Sequence, residues 1–164
     1  MRLIYALLLS VVALASNATE SNFILGSSIS KISLGDAKLD TFVVSVGHES
    51  KLKNNFSIIP EIKLGTGIRD SRSGDTVTRL ERYASSGVRL QHDVTEQLFV
   101  YLSPTFANFK VNSSSSTRLL TRSTSHFGVG FGVGYQIDDS ILIDGSIEEF
   151  DEFDLFQVGL KVSF

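Results

Sequence analysis

Cysteine is absent from the 164-residue chain, and its lysines and arginines form no dense run. Without cysteine there is no disulfide framework, no thiol catalysis and no cysteine-based metal site. The formal net charge is −3, and the basic residues are scattered along the sequence. Proteins that bind nucleic acid usually carry a concentrated basic surface, so we expect no nucleic-acid partner.

Long apolar runs are also missing beyond the N-terminus. Residues 3–15, LIYALLLSVVALA, follow a basic residue and precede small residues up to Ala18. This run is shorter than the roughly 20 residues that a membrane helix needs, and its layout is typical of a secretory signal cleaved after Ala18. A retained N-terminal anchor is the alternative. The sequence thus predicts a signal peptide over 1–18 and one domain over 19–164.

Helical periodicity is scarce, whereas period-two alternation of apolar and polar residues returns along the whole chain after residue 19. It is clearest at 126–137, HFGVGFGVGYQI, where large apolar residues alternate with glycines. Strict alternation sends the two sets to opposite faces of a strand. The pattern predicts eight strands, at 22–32, 40–49, 55–68, 81–92, 97–110, 124–137, 140–149 and 154–164.

Two features favour apolar faces that point outward rather than into a soluble core. The apolar faces are long and nearly unbroken, while the opposite faces mix charge with glycine and serine. The connections also alternate: 70–80 and 111–123 are long and polar, whereas 93–97 and 138–139 are tight. Transmembrane barrels have this asymmetry, with short periplasmic turns and longer external loops. The prediction is an all-β fold, an eight-stranded antiparallel up-and-down transmembrane β-barrel.

The last predicted strand ends in FQVGLKVSF, with an aromatic residue at Phe164. A final phenylalanine after alternating apolar positions resembles the assembly signal of bacterial outer-membrane barrels. With the signal peptide, the eight strands and the stretches SVGHES and GVGFGVGYQID, the chain resembles the small outer-membrane β-barrel domain family, which includes the outer-membrane protein A transmembrane domain, outer-membrane protein X and the opacity proteins. The resemblance implies a monomer in the outer membrane of a Gram-negative bacterium. It also implies outer-membrane lipid, lipopolysaccharide and the barrel-assembly machinery as partners.

Inward positions of the predicted barrel carry three acids and three bases, namely Glu61, Lys63, Arg89, Asp144, Glu148 and Lys161. Buried charges are costly unless they are paired and hydrogen-bonded. A balanced network is therefore expected to plug a lumen that eight strands leave narrow. An ion pathway or an acid–base site is the alternative. The alternating glycines are expected to make room for bulky inward groups such as Tyr83, Phe99 and Tyr101.

Little in the sequence indicates a catalytic site or a metal site. His126 lies near the start of a predicted strand, at a position that points into the lumen. Lipid A deacylases carry a serine two residues after their histidine, but here that position is Gly128. The neighbouring Ser123 and Ser125 do not restore that spacing, and no two histidines have metal-ligand spacing on one face. We expect no catalytic residue, no metal and no cofactor, and lipid A modification is the weakest of the functional alternatives.

Arginines surround two predicted outer loops, Arg72 and Arg79 in one and Arg118 and Arg122 in the other. Arginine pairs well with phosphate, so these residues are candidates for contact with lipopolysaccharide; ordinary solvated loops are the alternative. Two functions remain. One is a structural or surface-interaction role through the external loops, in envelope integrity, adhesion or ligand contact. The other is a narrow porin-like channel, which a charge-balanced lumen disfavours.

Overall fold

The computed structural model describes residues 20–35, 37–115 and 118–164, so the predicted signal peptide over 1–18 lies outside the described residues. Within the described part no helix is long and apolar enough to cross a membrane. The strands are β1 Glu20–Leu34, β2 Ala37–Lys51, β3 Phe56–Arg69, β4 Ser71–Ser73, β5 Thr76–Asp93, β6 Leu98–Ser115, β7 Arg118–Gln136, β8 Ile141–Phe150 and β9 Phe153–Ser163.

The strands form one closed, antiparallel sheet in which chain neighbours are also sheet neighbours. The order is β3-β2-β1-β9-β8-β7-β6-β5-β4, and an additional β3–β5 pairing completes the circle. β1 pairs with β9 over ten residue pairs, and β3 pairs with β5 from Phe56↔His92 to Gly65↔Tyr83. Because β4 belongs to the hairpin that joins β3 to β5, the wall itself has eight strands. The predicted eight-stranded up-and-down barrel is confirmed.

The outer face of the wall carries a continuous belt of apolar side chains. On β7, the five residues Phe127, Val129, Phe131, Val133 and Tyr135 are between 43% and 59% exposed. Outward residues of the other strands are similarly exposed, even on β1, where the alternation is weak. Removing such surface from water is favourable, so this apolar belt is the surface that a lipid bilayer would cover.

The inward glycines of β7 lie beneath large side chains of β6. The register places Tyr101 opposite Gly132 and Phe99 opposite Gly134. A Cβ atom added at Gly132 would overlap the Tyr101 ring, and one added at Gly134 would overlap the Phe99 ring. The row of glycines therefore makes room in the lumen for the neighbouring aromatic side chains.

Replacing Gly132 by alanine is expected to lower the free energy of unfolding by about 1–3 kcal/mol, because overpacking forces ring and backbone shifts. Gly145→Ala is the matched control, since its added Cβ would meet only the Gln157 carbonyl oxygen, at 3.8 Å. The measurement is urea-induced unfolding of both variants in phospholipid vesicles. Equal stability of the two variants would show that the Tyr101 ring moves aside freely.

The inner end of the barrel, where β1 begins and β9 ends, has tight connections, as predicted. Thr95 Oγ1 accepts hydrogen bonds from the Gln97 and Leu98 amides, at 3.2 and 2.9 Å. Asp138 Oδ1 accepts in the same way from the two amides that precede and begin β8, at 2.8 and 2.7 Å. Side chains that bond to nearby backbone in this way stabilise turns.

At the outer end the strands continue beyond the predicted bounds. β6 and β7 pair through Ser115↔Arg118, so most of the predicted loop 111–123 is a two-stranded ladder. The predicted loop 70–80 likewise contains β4 and the start of β5, which pair with each other. Antiparallel ladders are held by backbone hydrogen bonds and do not require apolar side chains. Alternating hydrophobicity therefore marks the apolar belt and not the ends of the strands.

Candidate functional site

The structure brings the six charged residues that were predicted to point inward together in the middle of the lumen. Each of them is at most 7% exposed. They come from four strands: Glu61 and Lys63 from β3, Arg89 from β5, Asp144 and Glu148 from β8, and Lys161 from β9. Because three are acidic and three basic, their formal charges cancel. We call this set the lumen network.

Glu61 lies between the cations of three different strands. Lys161 Nζ donates a hydrogen bond to Glu61 Oε1 at 2.8 Å. Arg89 Nη2 lies 3.5 Å from Glu61 Oε2. On its own strand, Lys63 Nζ is 3.9 Å from Glu61 Oε2 and donates a hydrogen bond to Glu148. Glu61 thus joins the charged residues of β3, β5 and β9.

Asp144 is the second centre of the network. Arg89 Nη2 lies 3.1 Å and Lys161 Nζ 3.3 Å from Asp144 Oδ2. The Tyr101 hydroxyl donates a hydrogen bond to the same oxygen at 2.9 Å, and the Arg89 guanidinium lies 4.1 Å from the centre of the Tyr101 ring. Cation–π contact strengthens when it is removed from water. The aromatic ring above Gly132 is therefore part of the ionic core.

Two cavities lie on opposite sides of this core. One, of about 70 Å³, is at the inner end and is lined in part by Arg89 and Phe99. The other, of about 560 Å³, opens at the outer end; we call it the mouth cavity. Buried, mutually paired ions separate the two cavities. This arrangement neutralises charge across the lumen and offers no exposed acid–base pair at its centre.

A second buried cluster, which is apolar, lies between the lumen network and the outer opening. It contains Leu39, Leu80, Phe109, Phe150 and Phe153 among its members. Phe109 and Phe153 meet edge-on, with ring centroids 4.4 Å apart. This cluster is not predicted from the sequence, because most of its residues fall in, or at the ends of, the predicted polar loops. The sequence feature that could have indicated the cluster is the apolar residues that stand at the edges of these polar loops.

His126 lies at this apolar cluster, with its side chain inside the mouth. Its ring contacts Phe153 edge-on at a centroid distance of 5.4 Å, and its Nε2 atom is 3.9 Å from Glu152 Oε2. Ser125 points to the other face of β7, where its hydroxyl oxygen accepts a hydrogen bond from Asn108 Nδ2 at 2.9 Å. A serine–histidine pair is therefore not assembled at this position.

The four candidate lipopolysaccharide contacts lie in two separate places. Arg79 is exposed on the outer hairpin of β4 and β5, where its Nε donates to Asp70 Oδ1 at 2.9 Å, and Arg72 lies exposed on the same hairpin. Arg122 instead lines the mouth cavity and contacts Glu152. Arg118 begins β7, and its side chain lies outside the described part of the chain.

A further polar cluster lies just beyond the outer edge of the apolar belt. Lys110 Nζ donates to Glu81 Oε1 at 2.7 Å, and Asn112 Nδ2 donates to Glu81 Oε2 at 3.0 Å. The hydrogen bond from Lys110, assisted by that of Asn112, lowers the pKa of Glu81. The polar side chains mark the level at which the wall leaves the apolar belt.

Phe164 takes part in closing the barrel. Its amide donates to the Phe23 carbonyl oxygen and its carbonyl oxygen accepts from the Phe23 amide, both at 2.9 Å. Its side chain is 67% exposed and continues the outward row of Leu160 and Val162. The residue therefore belongs to both the β1–β9 seam and the apolar belt.

A closed wall with an apolar exterior and an ionic interior defines the chain as a transmembrane β-barrel. No family model and no curated protein matches the sequence. Solved structures do match. The chain is similar to Ail, the attachment invasion locus protein of Yersinia pestis, in complex with the heparin analogue sucrose octasulfate, at 17% identity and a TM-score of 0.63, over 88% of this chain and 97% of that one.

Two further solved barrels have the same fold. The N-terminal β-barrel domain of Pseudomonas aeruginosa OprF is 11% identical, with a TM-score of 0.62 over 87% of this chain and 97% of that one. Neisserial surface protein A is 12% identical, with a TM-score of 0.55 over 90% and 99% of the two chains. At these identities the likeness is one of fold. The chain has the fold of the small eight-stranded outer-membrane barrels.

Proposed function

We propose that this protein is a monomeric integral barrel of the outer membrane of a Gram-negative bacterium, exported by its N-terminal signal. Its role is structural or one of surface interaction, carried by the outer hairpins. The observation that carries this proposal is the lumen network, which spans the interior of a wall that is apolar outside. An interior filled with paired ions suits a rigid scaffold better than a solute path.

The test combines cell fractionation with single-channel recording. The protein is expected in the outer-membrane fraction, to resist extraction by carbonate, and to shift on a gel after boiling, as folded barrels do. Purified protein in planar bilayers is expected to give no discrete conductance steps. Extraction by carbonate or salt alone would contradict an integral barrel. Steady conductance would instead support the narrow porin-like channel.

The outer hairpin of β4 and β5 supports a contact with anionic groups such as lipopolysaccharide phosphates. Arg72 and Arg79 are exposed there, on the side from which external loops project. A solved relative in fold, Ail, is in complex with a sulfated heparin analogue. Arginine binds phosphate and sulfate oxygens through paired hydrogen bonds. Asp70 already pairs with Arg79, so an anionic ligand would compete with that carboxylate.

Replacing Arg72 and Arg79 together by glutamine is expected to weaken binding of lipopolysaccharide about tenfold or more at low salt, because two charge-assisted contacts are lost. Lys53→Gln is the matched control, since it removes an exposed cation at the inner end. Binding of fluorescent lipopolysaccharide to the folded barrel is measured over a range of salt concentrations. If both variants bind like the unchanged protein, the hairpin arginines are ordinary solvated residues.

Phe164 supports a contact with the barrel-assembly machinery, because it lies at the seam where the last strand, β9, pairs with the first, β1. Removing Phe164, or adding a charged tail after it, is expected to reduce assembled barrel in cells much more than it reduces stability after refolding in detergent. An open sheet edge cannot persist in lipid, so recognition of the unpaired strand precedes closure. Phe156→Ala, on the same face of β9, is the control. Equal losses in cells and in detergent would make Phe164 only a packing residue.

A further inference from the structure

The mouth cavity has the size and chemistry of a small-molecule site. Its volume of about 560 Å³ falls in the range of roughly 300–1,000 Å³ that is typical of ligand pockets. Its inner part is made by the buried apolar side chains of Leu39, Leu80, Phe109 and Phe153. The ionisable groups of the lining, Arg122, His126 and Glu152, are all on one side, formed by β7 and the turn before β9, whereas the hydroxyls of Thr78 and Ser113 lie on β5 and β6. A cavity with an apolar body and one polar side favours an amphipathic ligand.

The polar side already holds a carboxylate that can be displaced. Arg122 Nη2 lies 3.3 Å from each of the two Glu152 carboxylate oxygens. Both side chains are exposed, at 68% and 45%, and exposed pairs of this kind contribute little stability. Glu152 lies in the turn between β8 and β9, where its side chain is open to solvent. A second carboxylate can therefore take its place on Arg122 at small cost.

His126 supplies a second donor at the same place. Its side chain is only 9% exposed, and its Nε2 atom has no hydrogen-bond partner within the described part of the chain. The distance of 3.9 Å to Glu152 Oε2 is too long for a hydrogen bond. An unpaired buried polar atom is unfavourable. A carboxylate that sits deeper than Glu152 would satisfy both His126 and Arg122.

We propose that the mouth cavity binds an amphipathic monocarboxylate, with its carboxylate on Arg122 and His126. Its alkyl chain lies along Leu34 and Val111, the partly buried lining residues that pack against the cluster of Phe109 and Phe153. The carboxylate replaces that of Glu152, which turns into water. The alkyl chain covers apolar surface that faces the open cavity, and burial of such surface supplies the affinity. The two donors on one side fix the orientation of the ligand.

The test uses sodium octanoate at neutral pH, where it is soluble as the carboxylate, and the folded barrel in nanodiscs of zwitterionic phospholipid. Side-chain NMR signals of Leu39, Phe109 and His126 are followed during titration. Saturable shifts of all three are expected with octanoate. Octan-1-ol, which keeps the chain and lacks the charge, is expected to bind about tenfold more weakly or worse. Acetate, which keeps only the charge, is expected to cause no saturable shift of Phe109.

Three variants locate the site. Arg122→Gln is expected to weaken octanoate about tenfold while leaving octan-1-ol unchanged. Ala37→Trp, which places a large ring at another position in the lining, is expected to abolish binding of both compounds. Lys53→Gln, which removes an exposed cation at the inner end and outside the cavity, is expected to change neither.

Three outcomes would overturn the proposal. Absence of saturable shifts with octanoate would show that the cavity takes no such ligand. Equal binding of octanoate and octan-1-ol, unaffected by Arg122→Gln, would show that the polar side recognises nothing. Shifts that persist in Ala37→Trp would come from ligand dissolved in the lipid around the belt. None of these results depends on the cellular location or conductance of the barrel.

Discussion

Replacing Arg89 by alanine is expected to lower the free energy of unfolding by about 3–5 kcal/mol, the usual range when one partner of a buried ion pair is removed. Arg89 is 3% exposed. It lies against the carboxylates of Glu61 and Asp144, at 3.5 and 3.1 Å. Without the guanidinium, these two acids share Lys161 and Lys63 with Glu148, so the lumen holds one negative charge too many.

Two comparisons separate pairing from simple loss of a side chain. The double variant Arg89→Met with Glu61→Gln removes one charge of each sign, so it is expected to be more stable than Arg89→Ala. Arg79→Ala breaks the exposed pair with Asp70 and is expected to change stability by less than about 1 kcal/mol. Stability is measured by urea-induced unfolding in phospholipid vesicles, with the mobility of the unboiled protein on a gel as the readout.

If Arg89→Ala proved as stable as Arg79→Ala, water would have to hydrate the stranded carboxylates inside the lumen. That result would weaken the closed-lumen proposal and would favour the porin-like channel. Recording single-channel currents of Arg89→Ala beside the unchanged protein tests this directly. The same variant thus examines both the energy of the lumen network and its role as a barrier.

The alternation of side chains between the two faces of a strand explains why so much of the barrel can be predicted from the sequence. Successive side chains of a strand point to opposite faces, so Glu61 and Lys63 on one strand and Asp144 and Glu148 on another had to share the lumen once the apolar face was outward. Loop asymmetry and strand number then set the architecture. Even the role of Gly132 follows, because a residue without a side chain leaves space for whatever lies across the ladder.

This alternation does not tell which inward residues of different strands lie at the same level along the barrel axis. In a closed barrel the strands tilt and are staggered, so partners depend on the register around the whole circle. The hydrogen bond from Lys161 to Glu61 joins residues 100 positions apart in the chain. Nor does the sequence of β6 and β7 alone distinguish the paired outer ladder from a flexible polar loop, because serine and threonine occur in both.

The apolar cluster in the mouth escaped prediction for a related reason. Leu39 and Leu80 each stand alone beside polar residues, without a neighbouring alternation that would give their direction. Both side chains point into the lumen because the strands continue beyond their predicted bounds at the outer end of the barrel. There the two residues are at most 1% exposed. Once the ladder is known to continue, the same period-two rule accounts for them.

The final prediction tests whether the apolar belt faces lipid. Arginine in place of Val133 is expected to lower the free energy of unfolding in a bilayer by about 2–4 kcal/mol, the depth-dependent cost of a lipid-facing cation near the midplane. Val133 is 46% exposed and stands next to the central residue, Phe131, in the outward row of β7, and it pairs with Val100 and Gly145. Val94→Arg is the matched control, because Val94 is 53% exposed at an inner turn. Near an interface the same change should cost roughly 0–1 kcal/mol.

Depth can be measured independently in the same protein. A fluorophore attached to Val133→Cys is expected to be quenched strongly by lipids that carry a quencher in their acyl chains. One attached to Ser114→Cys, on the exposed outer ladder, is expected to be quenched weakly. Each variant carries a single thiol, because the chain has no cysteine of its own. If Val133→Arg were tolerated as well as Val94→Arg, and the fluorophore on Val133→Cys remained unquenched, the exposed apolar row would face water or another protein and not lipid.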